Sequence, residues 1–353
     1  MSDFRVGIVG CGLISSAHIR AWQKTPGFTV HGVIDTNREQ ANNRAKEFGV
    51  GNVYDQLDQL IGECDVVDVC TPPSSHAAIA EQALAGKRHI VMEKPVVTKV
   101  ADWDRLSARV TETNAKLAVI HNAKFLNGMQ TAKKWVTEGR IGDIIRIQRE
   151  FLTHESSDRM LVGDKHWSHK LPGGRWFETL PHELYLTHWF VGPLALANVT
   201  AIRTPHAPPG TSADEVMIAL KGEQCIGSFH FSANCKQNRR TLTLQGTEGR
   251  IVVDLLSDFA TISTSSDTKW KRVVGREITD AGRSLLRAPL DRMHYGMKKL
   301  AKESPHMKII QSLGRNLRGE GEEPTPFAEV DYVIRMGDKI GREIDRQVGF
   351  ERA

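Results

Sequence analysis

The sequence predicts an α/β fold, in which a doubly wound parallel sheet precedes an α+β domain with a large, mostly antiparallel open sheet. Short apolar runs alternate with helical stretches up to about residue 120, and a glycine-rich turn follows the first run. Beyond residue 125, strand-like segments alternate apolar and polar residues, which is typical of a sheet with one covered face. A chain of 353 residues suits about two domains. We divide it into 1–123, 124–325 and a helix in 326–353 that packs back on the first domain.

The composition is that of a globular protein. Hydrophobic residues make up 40% and charged residues 25%, which excludes a disordered chain and a coiled-coil rod. No apolar run reaches the roughly 18 residues of a membrane span, and no leader precedes the first strand-like segment. The five cysteines form no close CxxC pair, so they read as reduced core residues. We expect a cytoplasmic protein without a membrane partner.

The positive charge is concentrated in one segment. From Lys269 to Arg318 there are 13 Lys and Arg against four acids, whereas the whole chain carries a net charge of +5. A single basic block on a mildly acidic body argues against a nucleic-acid partner. The block could attract a phosphorylated or nucleotide-linked substrate, or it could be the solvated face of a helix. The second reading is favoured by apolar residues at helical spacing, namely Leu290, Met293, Met297 and Leu300.

The first strand, residues 4–9, runs into a turn that is suited to a dinucleotide. Gly10 permits the tight turn, and Gly12 lets the backbone approach a pyrophosphate. Leu13 and Ile14 complete the turn, and the helix that follows over 16–24 offers N–H donors to the phosphates. We therefore assign dinucleotide binding to this turn.

The second strand, residues 29–34, ends at an acid. Asp35 can hydrogen-bond both ribose hydroxyls of adenosine and would repel a 2′-phosphate, so it favours NAD over NADP. Arg38 lies close enough to hold that phosphate, so NADP is not excluded.

The alternation continues to residue 120. Predicted helical stretches cover 37–48, 57–62, 74–85 and 101–114, and predicted strands cover 65–70, 89–92 and 117–120. Ligands of a doubly wound sheet lie at the carboxyl ends of its strands. We therefore place Thr71, Pro72 and His76 at the cofactor cleft.

The second domain starts with a helix over 128–138. Predicted strands then cover 144–152, 196–204, 214–221, 223–233, 240–245, 250–255 and 259–264, and a last helix covers 330–344.

An ordered set of motifs resembles the Gfo/Idh/MocA (glucose–fructose oxidoreductase, inositol dehydrogenase, MocA) family. The set comprises Gly10-Cys11-Gly12 with Ile14 and His18, Thr71-Pro72 with His76, Glu93-Lys94-Pro95, Asn122, Gly139-Arg140-Ile141-Gly142 and Gly246-Thr247-Glu248-Gly249. The resemblance covers nearly the whole chain; the basic stretch 265–323, which we take as an insertion, departs most from it. It implies a homodimer or homotetramer formed through the second sheet.

The resemblance also implies roles at the cofactor. The lysine of the Glu93-Lys94-Pro95 motif reaches the nicotinamide and a reacting hydroxyl, where a cation can stabilise the developing alkoxide. Asn122 stands where the family has a side chain near the nicotinamide. Lys124 stands where an arginine is common, as a candidate substrate contact.

An acid and a histidine four residues apart follow a glycine pair in the second domain. Glu178 and His182 meet if this segment is helical. His182 is suited to accept a hydroxyl proton, and the carboxylate would orient its ring or bind a substrate hydroxyl. We expect Thr179 to cap a helix that begins near Leu180. The family has Asp at positions 178 and 185 and Gly at 180, so the pocket differs in shape.

A metal site is an alternative interpretation of this region, which contains several possible ligands, namely His154, His166, His169, Glu178, His182 and His188. The segment lacks a strict ligand framework and hydride transfer needs no metal, so we expect none. Trp167 either stacks on a sugar ring or belongs to the core.

The sequence thus predicts an NAD-dependent oxidoreductase acting on a secondary alcohol or ketone of a sugar. One alternative keeps the site but oxidises, eliminates and re-reduces, so that the net reaction cleaves a glycoside. The other is a dinucleotide-binding regulator without catalysis, which would need neither Lys94 nor His182.

Overall fold

The computed structural model describes residues 3–161, 166–208, 211–264 and 304–350. Most of the basic block, including Leu290, Met293, Met297 and Leu300, lies outside these ranges. The chain forms two compact units, Met1–Asn122 with Ser304–Asp338, and Ala123–Glu303 with Lys339–Ala353.

The first unit contains the predicted parallel sheet. Its strands are β1 (Phe4–Val9), β2 (Phe28–Ile34), β3 (Asn52–Val53), β4 (Val66–Val69), β5 (His89–Met92) and β6 (Leu117–Val119). Their order is β3-β2-β1-β4-β5-β6, and all neighbours are parallel. This is the strand order of a dinucleotide-binding sheet, which confirms the predicted fold class. The sequence did not predict β3, because a strand of two residues is too short to show an alternation of apolar and polar side chains.

Five helices connect these strands. They are α1 (Ser15–Gln23), α2 (Arg38–Phe48), α3 (Leu57–Glu63), α4 (Pro73–Ala85) and α5 (Val100–Thr113). The boundaries follow local chemistry: Asn37 caps α2 by accepting from the Gln40 N–H at 3.1 Å, and Gly49 ends it in the left-handed region.

The second unit is built on a seven-stranded sheet. It contains α6 (Asn127–Thr137), β7 (Ile144–His154), α7 (Arg175–Val191), β8 (Ala195–Ile202), β9 (Glu215–Lys221), β10 (Ile226–Ser232), β11 (Asn234–Gly246), β12 (Arg250–Asp254) and β13 (Phe259–Ser263). The strand order is β13-β12-β11-β7-β10-β9-β8. Only the β7–β10 pair is parallel, so the sheet is mostly antiparallel, as predicted.

Helix α7 begins five residues earlier than predicted. Gly174, with φ 63°, precedes its first residue, and Pro181 lies inside the helix. The expectation that Thr179 caps a helix starting near Leu180 is therefore wrong. A left-handed glycine starts the helix, and the Thr179 hydroxyl instead accepts from the Arg175 guanidinium at 2.6 Å. A proline is favoured at the first position of a helix, but Pro181 is the seventh residue of α7.

The segment after residue 303 supplies two helices, α8 (Pro305–Leu317) and α9 (Phe327–Val348). A Cβ at Gly314 of α8 would lie 2.6 Å from Thr25 Cγ2, so α8 packs closely on the end of α1. Val330 and Ile334 of α9 are buried in the core of the first unit. Residues 304–325, which the sequence analysis assigns to the second domain, thus contact the first, because their apolar faces pack there. Among the described helices, none has both the length and the apolar character needed to cross a membrane.

Candidate active site

The glycine-rich turn after β1 is shaped by close backbone contacts. Gly10 has φ +95°, and a Cβ there would lie 2.9 Å from the carbonyl carbon of Cys70. No other residue type fits this position without strain. The Ile14 N-cap of α1 makes no side-chain capping bond, so no cap competes for the first N–H groups of the helix. Leu13 is exposed at the tip of the turn.

Asp35 ties this turn to the end of β2. Its Oδ2 accepts from the Cys11 N–H at 2.7 Å, and its Oδ1 accepts from the Asn37 N–H at 2.8 Å. Burial, followed by the Asp35 charge, raises the pKa of the Cys11 thiol to about 12, so this cysteine stays protonated. Arg38 pairs with Asp55 at 2.6 Å.

Arg44 of α2 was not among the predicted site residues. Its Nη2 donates to the carbonyl oxygen of Gly12 at 2.9 Å, which brings a cation to the glycine turn. Its position on the helix that follows Asp35 was the one sequence feature that could have indicated this contact, but arginines on such helices are usually solvated.

His76 braces the loop after β4. Its Nε2 lies 2.8 Å from the Thr71 carbonyl oxygen, and its Nδ1 lies 3.2 Å from that of Val96. Burial lowers the pKa of His76, which keeps the ring neutral. One ring nitrogen thus faces the loop after β4, and the other faces the backbone at Val96.

A buried charged cluster supports the Glu93-Lys94-Pro95 motif. His18 Nδ1 lies 2.9 Å from Asp68 Oδ2, and its Nε2 lies 3.0 Å from Glu93 Oε1. Trp22 Nε1 also donates to Asp68 Oδ2, at 2.7 Å. Asp68 was not predicted as a site residue, although a charged residue in a buried strand implies a partner.

Within this cluster, the neighbouring groups outweigh the effect of burial on the pKa of both His18 and Glu93. Burial opposes protonation of His18, but Asp68 outweighs it and raises the pKa of His18 well above its ordinary value. Burial likewise opposes ionisation of Glu93, yet hydrogen bonds from His18 and His306 hold its pKa well below the usual range. The cluster is therefore an imidazolium between two carboxylates.

Lys94 follows this cluster directly, at the carboxyl end of β5. Its backbone N–H donates to Glu93 Oε2 at 3.1 Å, so the carboxylate holds the backbone nitrogen of Lys94 in place. The Lys94–Pro95 peptide bond is cis. Asn122, at the end of the neighbouring β6, has its Nδ2 3.1 Å from Nε2 of His306. The first unit thus gathers the predicted cofactor residues at the carboxyl ends of β1, β2, β4, β5 and β6.

The candidate residues of the second unit have partners that the sequence did not predict. Glu178 Oε2 accepts from the Arg175 guanidinium at 2.7 Å, and Arg175 also pairs with Asp158 at 2.9 Å. His182 Nδ1 lies 2.6 Å from the hydroxyl oxygen of Tyr185. That oxygen accepts from the Ala123 N–H at 3.0 Å, so Tyr185 holds the ring.

Lys124 is buried in a short 3₁₀ helix, Asn122–Phe125. Trp167, in the 3₁₀ helix Trp167–Lys170, lies with its ring 5.2 Å from that of His166.

The histidines considered for a metal bind separate groups. His154 contacts Ser156, His166 contacts Ser168, and His169 contacts the Met160 carbonyl. Within the described ranges, the two groups of three that could hold an ion both include His18, which already pairs with Asp68 and Glu93.

Residues 4–121 match the model of an oxidoreductase family with an NAD-binding Rossmann fold, and residues 129–252 match a GFO/IDH/MocA C-terminal domain. Levoglucosan dehydrogenase of Pseudarthrobacter phenanthrenivorans is 26% identical, covering 96% of each chain. The 2,7-anhydro-N-acetylneuraminate hydratase of Escherichia coli is 24% identical over 74% of this chain and 71% of its own.

A solved structure has a similar fold. The WlbA dehydrogenase of Bordetella pertussis, in complex with NADH and UDP-GlcNAcA, aligns with a TM-score of 0.76 and 21% identity over 97% of this chain and 96% of its own. The resemblance found in the sequence and the prediction of NAD are confirmed by the matching family.

The raised pKa of His18 predicts how stability depends on pH. Its ion pair with Asp68 stabilises the fold fully below about pH 6.5, and this contribution is lost as the pH rises through the folded-state pKa. In urea titrations from pH 6 to 9, the free energy of unfolding of the wild type should fall by up to about 1.4 kcal/mol per pH unit. Asp68→Asn should be less stable at pH 6 and show a smaller fall.

The matched control is Asp58→Asn, at an exposed aspartate of α3. It should follow the wild-type profile. An unchanged fall in Asp68→Asn would contradict the ion pair.

Proposed function

Because the chain belongs to the Gfo/Idh/MocA family of NAD-binding oxidoreductases, we propose that it oxidises a secondary alcohol of a sugar or sugar derivative, or reduces the ketone. The observation that carries the proposal is the lysine at the end of β5, which a buried carboxylate anchors beside the predicted cofactor residues. Bound NAD would supply the hydride acceptor. Asp35 at the end of β2 favours NAD over its 2′-phosphorylated form.

Lys94 would orient the reacting oxygen. Its ammonium can donate to a hydroxyl and stabilise the negative charge that develops on the oxygen as hydride leaves. Glu93 keeps the backbone of Lys94 in place through the N–H bond. The lysine thus acts from a rigid strand end rather than from a mobile loop.

His182 would accept the hydroxyl proton. Tyr185 holds the Nδ1 side of its ring, which orients the other nitrogen. Glu178, whose carboxylate is fixed by Arg175, would bind a sugar hydroxyl or tune His182. These roles follow from the family resemblance together with the positions of the side chains on α7.

The substrate would be a sugar. Trp167 offers an aromatic face for stacking on a ring, and Lys124 a cation for a substrate contact. The similar proteins named above act on an anhydrosugar or are bound to a nucleotide sugar. We therefore propose a sugar derivative; a basic block that contacts the substrate would attract a phosphorylated or nucleotide-linked one.

A second candidate uses the same residues for a net glycoside cleavage or hydration. The similarity to the 2,7-anhydro-N-acetylneuraminate hydratase supports this second candidate. In that reaction the sugar would be oxidised transiently and re-reduced, so the cofactor would be regenerated. A non-catalytic regulator is less well supported, because binding alone requires neither Lys94 nor His182.

The outer face of the second sheet would join copies of the chain. Ile202, Met217 and Ile226, on the neighbouring strands β8, β9 and β10, are large apolar residues that are about half exposed. A face of this kind suits a homodimer or homotetramer.

The five cysteines are free, and we place the protein in the cytoplasm.

The substrate proposal predicts NADH formation. Purified protein with NAD should raise absorbance at the NADH wavelength with one class within a panel of free sugars, polyols, sugar phosphates and nucleotide sugars. Bound NAD without net NADH across the panel would contradict the dehydrogenase and favour the redox-cycling reaction. Product analysis by mass spectrometry on anhydrosugars and glycosides would then test the second candidate.

Replacing the anchored lysine should separate chemistry from binding. Lys94→Ala should lower kcat by at least about 100-fold, because one charge that stabilises the developing alkoxide is lost. NADH binding, measured by fluorescence, should persist. The exposed Lys99→Ala is the matched control and should keep wild-type kcat. Wild-type turnover in a folded Lys94→Ala would contradict the role.

A charge on the outer face should weaken assembly. Met217→Lys is expected to shift the mass measured by light scattering toward the monomer, because it buries an ammonium in an apolar contact. Leu256→Lys, at a similarly exposed apolar residue outside these three strands, should keep the wild-type mass. A monomeric wild type, or an unchanged Met217→Lys, would contradict the interface.

A further inference from the structure

Arg240 has no role in the function proposed above, but it lies on the sheet face that carries part of the candidate site. It belongs to β11 and stands opposite Phe151 of β7, whose ring packs edge-on against that of Trp176 of α7. The guanidinium carbon of Arg240 lies 4.3 Å from the centre of the Phe151 ring, so a cation–π contact holds it against the sheet. Its Nε is out of contact with solvent, whereas the residue as a whole is only partly buried.

The side chain of Arg240 lacks an acceptor. Within the part of the chain that the structure describes, nothing accepts a hydrogen bond from its Nε, and no carboxylate forms an ion pair with its guanidinium. The two neighbouring arginines both have such a partner, since Arg149 pairs with Glu183 and Arg175 pairs with Glu178. A buried donor without an acceptor is unfavourable, so Arg240 is suited to a ligand that supplies one.

The charges around Arg240 do not compensate for its burial. Burial lowers the pKa of Arg240, and the charge of Arg175 lowers it further. The three acids that pair with the other arginines, Asp158, Glu178 and Glu183, oppose this shift without cancelling it. An arginine nevertheless keeps its charge at neutral pH. An anion bound at Arg240 would therefore supply both a counter-charge and hydrogen-bond acceptors.

We propose that Arg240 determines substrate specificity by binding a carboxylate or phosphate group of the sugar. The inference rests on the proposed function, which places the substrate at Glu178, one of the groups whose charge acts on Arg240. A guanidinium presents its donors in one plane, and that plane matches the oxygens of either anion. The pairing of Glu178 with Arg175 reduces the repulsion that its carboxylate would exert on the bound group.

Binding of matched sugars to the NADH complex tests this without turnover, because NADH cannot accept a hydride. Calorimetry would give the Kd of each neutral sugar of the panel, of its uronic acid and of its phosphate ester. In the wild type, one of the two anionic forms should bind at least about tenfold more tightly than its neutral parent, which corresponds to one hydrogen bond to a charged group. The form that does so identifies the anion that Arg240 binds.

Substitution of Arg240 should remove this preference. Arg240→Gln should raise the Kd of the anionic sugar to that of its neutral parent and leave the Kd of the neutral sugar unchanged. Arg240→Lys keeps the charge but not the planar set of donors, so it should keep only part of the preference. The matched control is Arg239→Gln, at the adjacent exposed arginine of β11, which pairs with Glu150. It should keep the wild-type preference.

Two results would overturn the inference and leave the dehydrogenase standing: equal binding of neutral and anionic sugars by the wild type, or a wild-type preference in Arg240→Gln. An equal loss of neutral and anionic binding in that variant would also overturn it, because it would show a purely structural role. If the glutamine variant does not fold, an undiminished preference in Arg240→Lys overturns the inference. Absence of binding for every sugar would overturn the sugar substrate as well.

Discussion

The imidazolium of His18 is buried between Asp68 and Glu93, and the first unit is organised around that contact. It joins α1, β4 and the end of β5, three elements that are far apart in the chain. Removing one charge from such a group would leave the others buried without compensation, at a cost of several kcal/mol. The chain leaves β5 for Lys94 at this point, and the other oxygen of Glu93 accepts from the Lys94 N–H, so the buried carboxylate also fixes the position of the lysine backbone.

At two strand ends a carboxylate accepts a hydrogen bond from a backbone N–H group. After β2, Asp35 accepts from the main-chain N–H of Cys11 in the glycine turn. After β5, Glu93 accepts from the main-chain N–H of Lys94. In both places a carboxylate holds the backbone of a functional loop, and a charge-assisted hydrogen bond to an N–H group is stronger than a neutral one. The loops at the carboxyl edge of the sheet are thereby held by side chains rather than by regular secondary structure.

Much of this molecule follows from local patterns. The alternation of apolar runs and helices predicts the parallel sheet, and the glycine turn with Asp35 predicts where the dinucleotide binds. The contacts made by His306 and Arg44 did not follow, because each joins residues whose proximity depends on the tertiary fold. The Arg175–Glu178 contact is local, but it requires a helix that begins earlier than predicted. Helix α7 shows the limit within one segment, since its start is set by the left-handed Gly174 and not by the proline that looks like a start signal. The roles of Glu178 and His182 stay predictions. Their described contacts are with Arg175 and Tyr185, each three residues away on α7.

The first unit is discontinuous in the chain, and this has a consequence for biosynthesis. Val330 and Ile334 are part of its core, and the buried Glu329 binds His121 at 2.6 Å. When residue 122 leaves the ribosome, the sheet is complete but these partners have not been made. At 5–20 residues per second, roughly 10 to 40 s pass before residue 338 is synthesised. During that interval the nascent sheet exposes apolar surface, and the second unit likewise lacks its last segment, Lys339–Ala353.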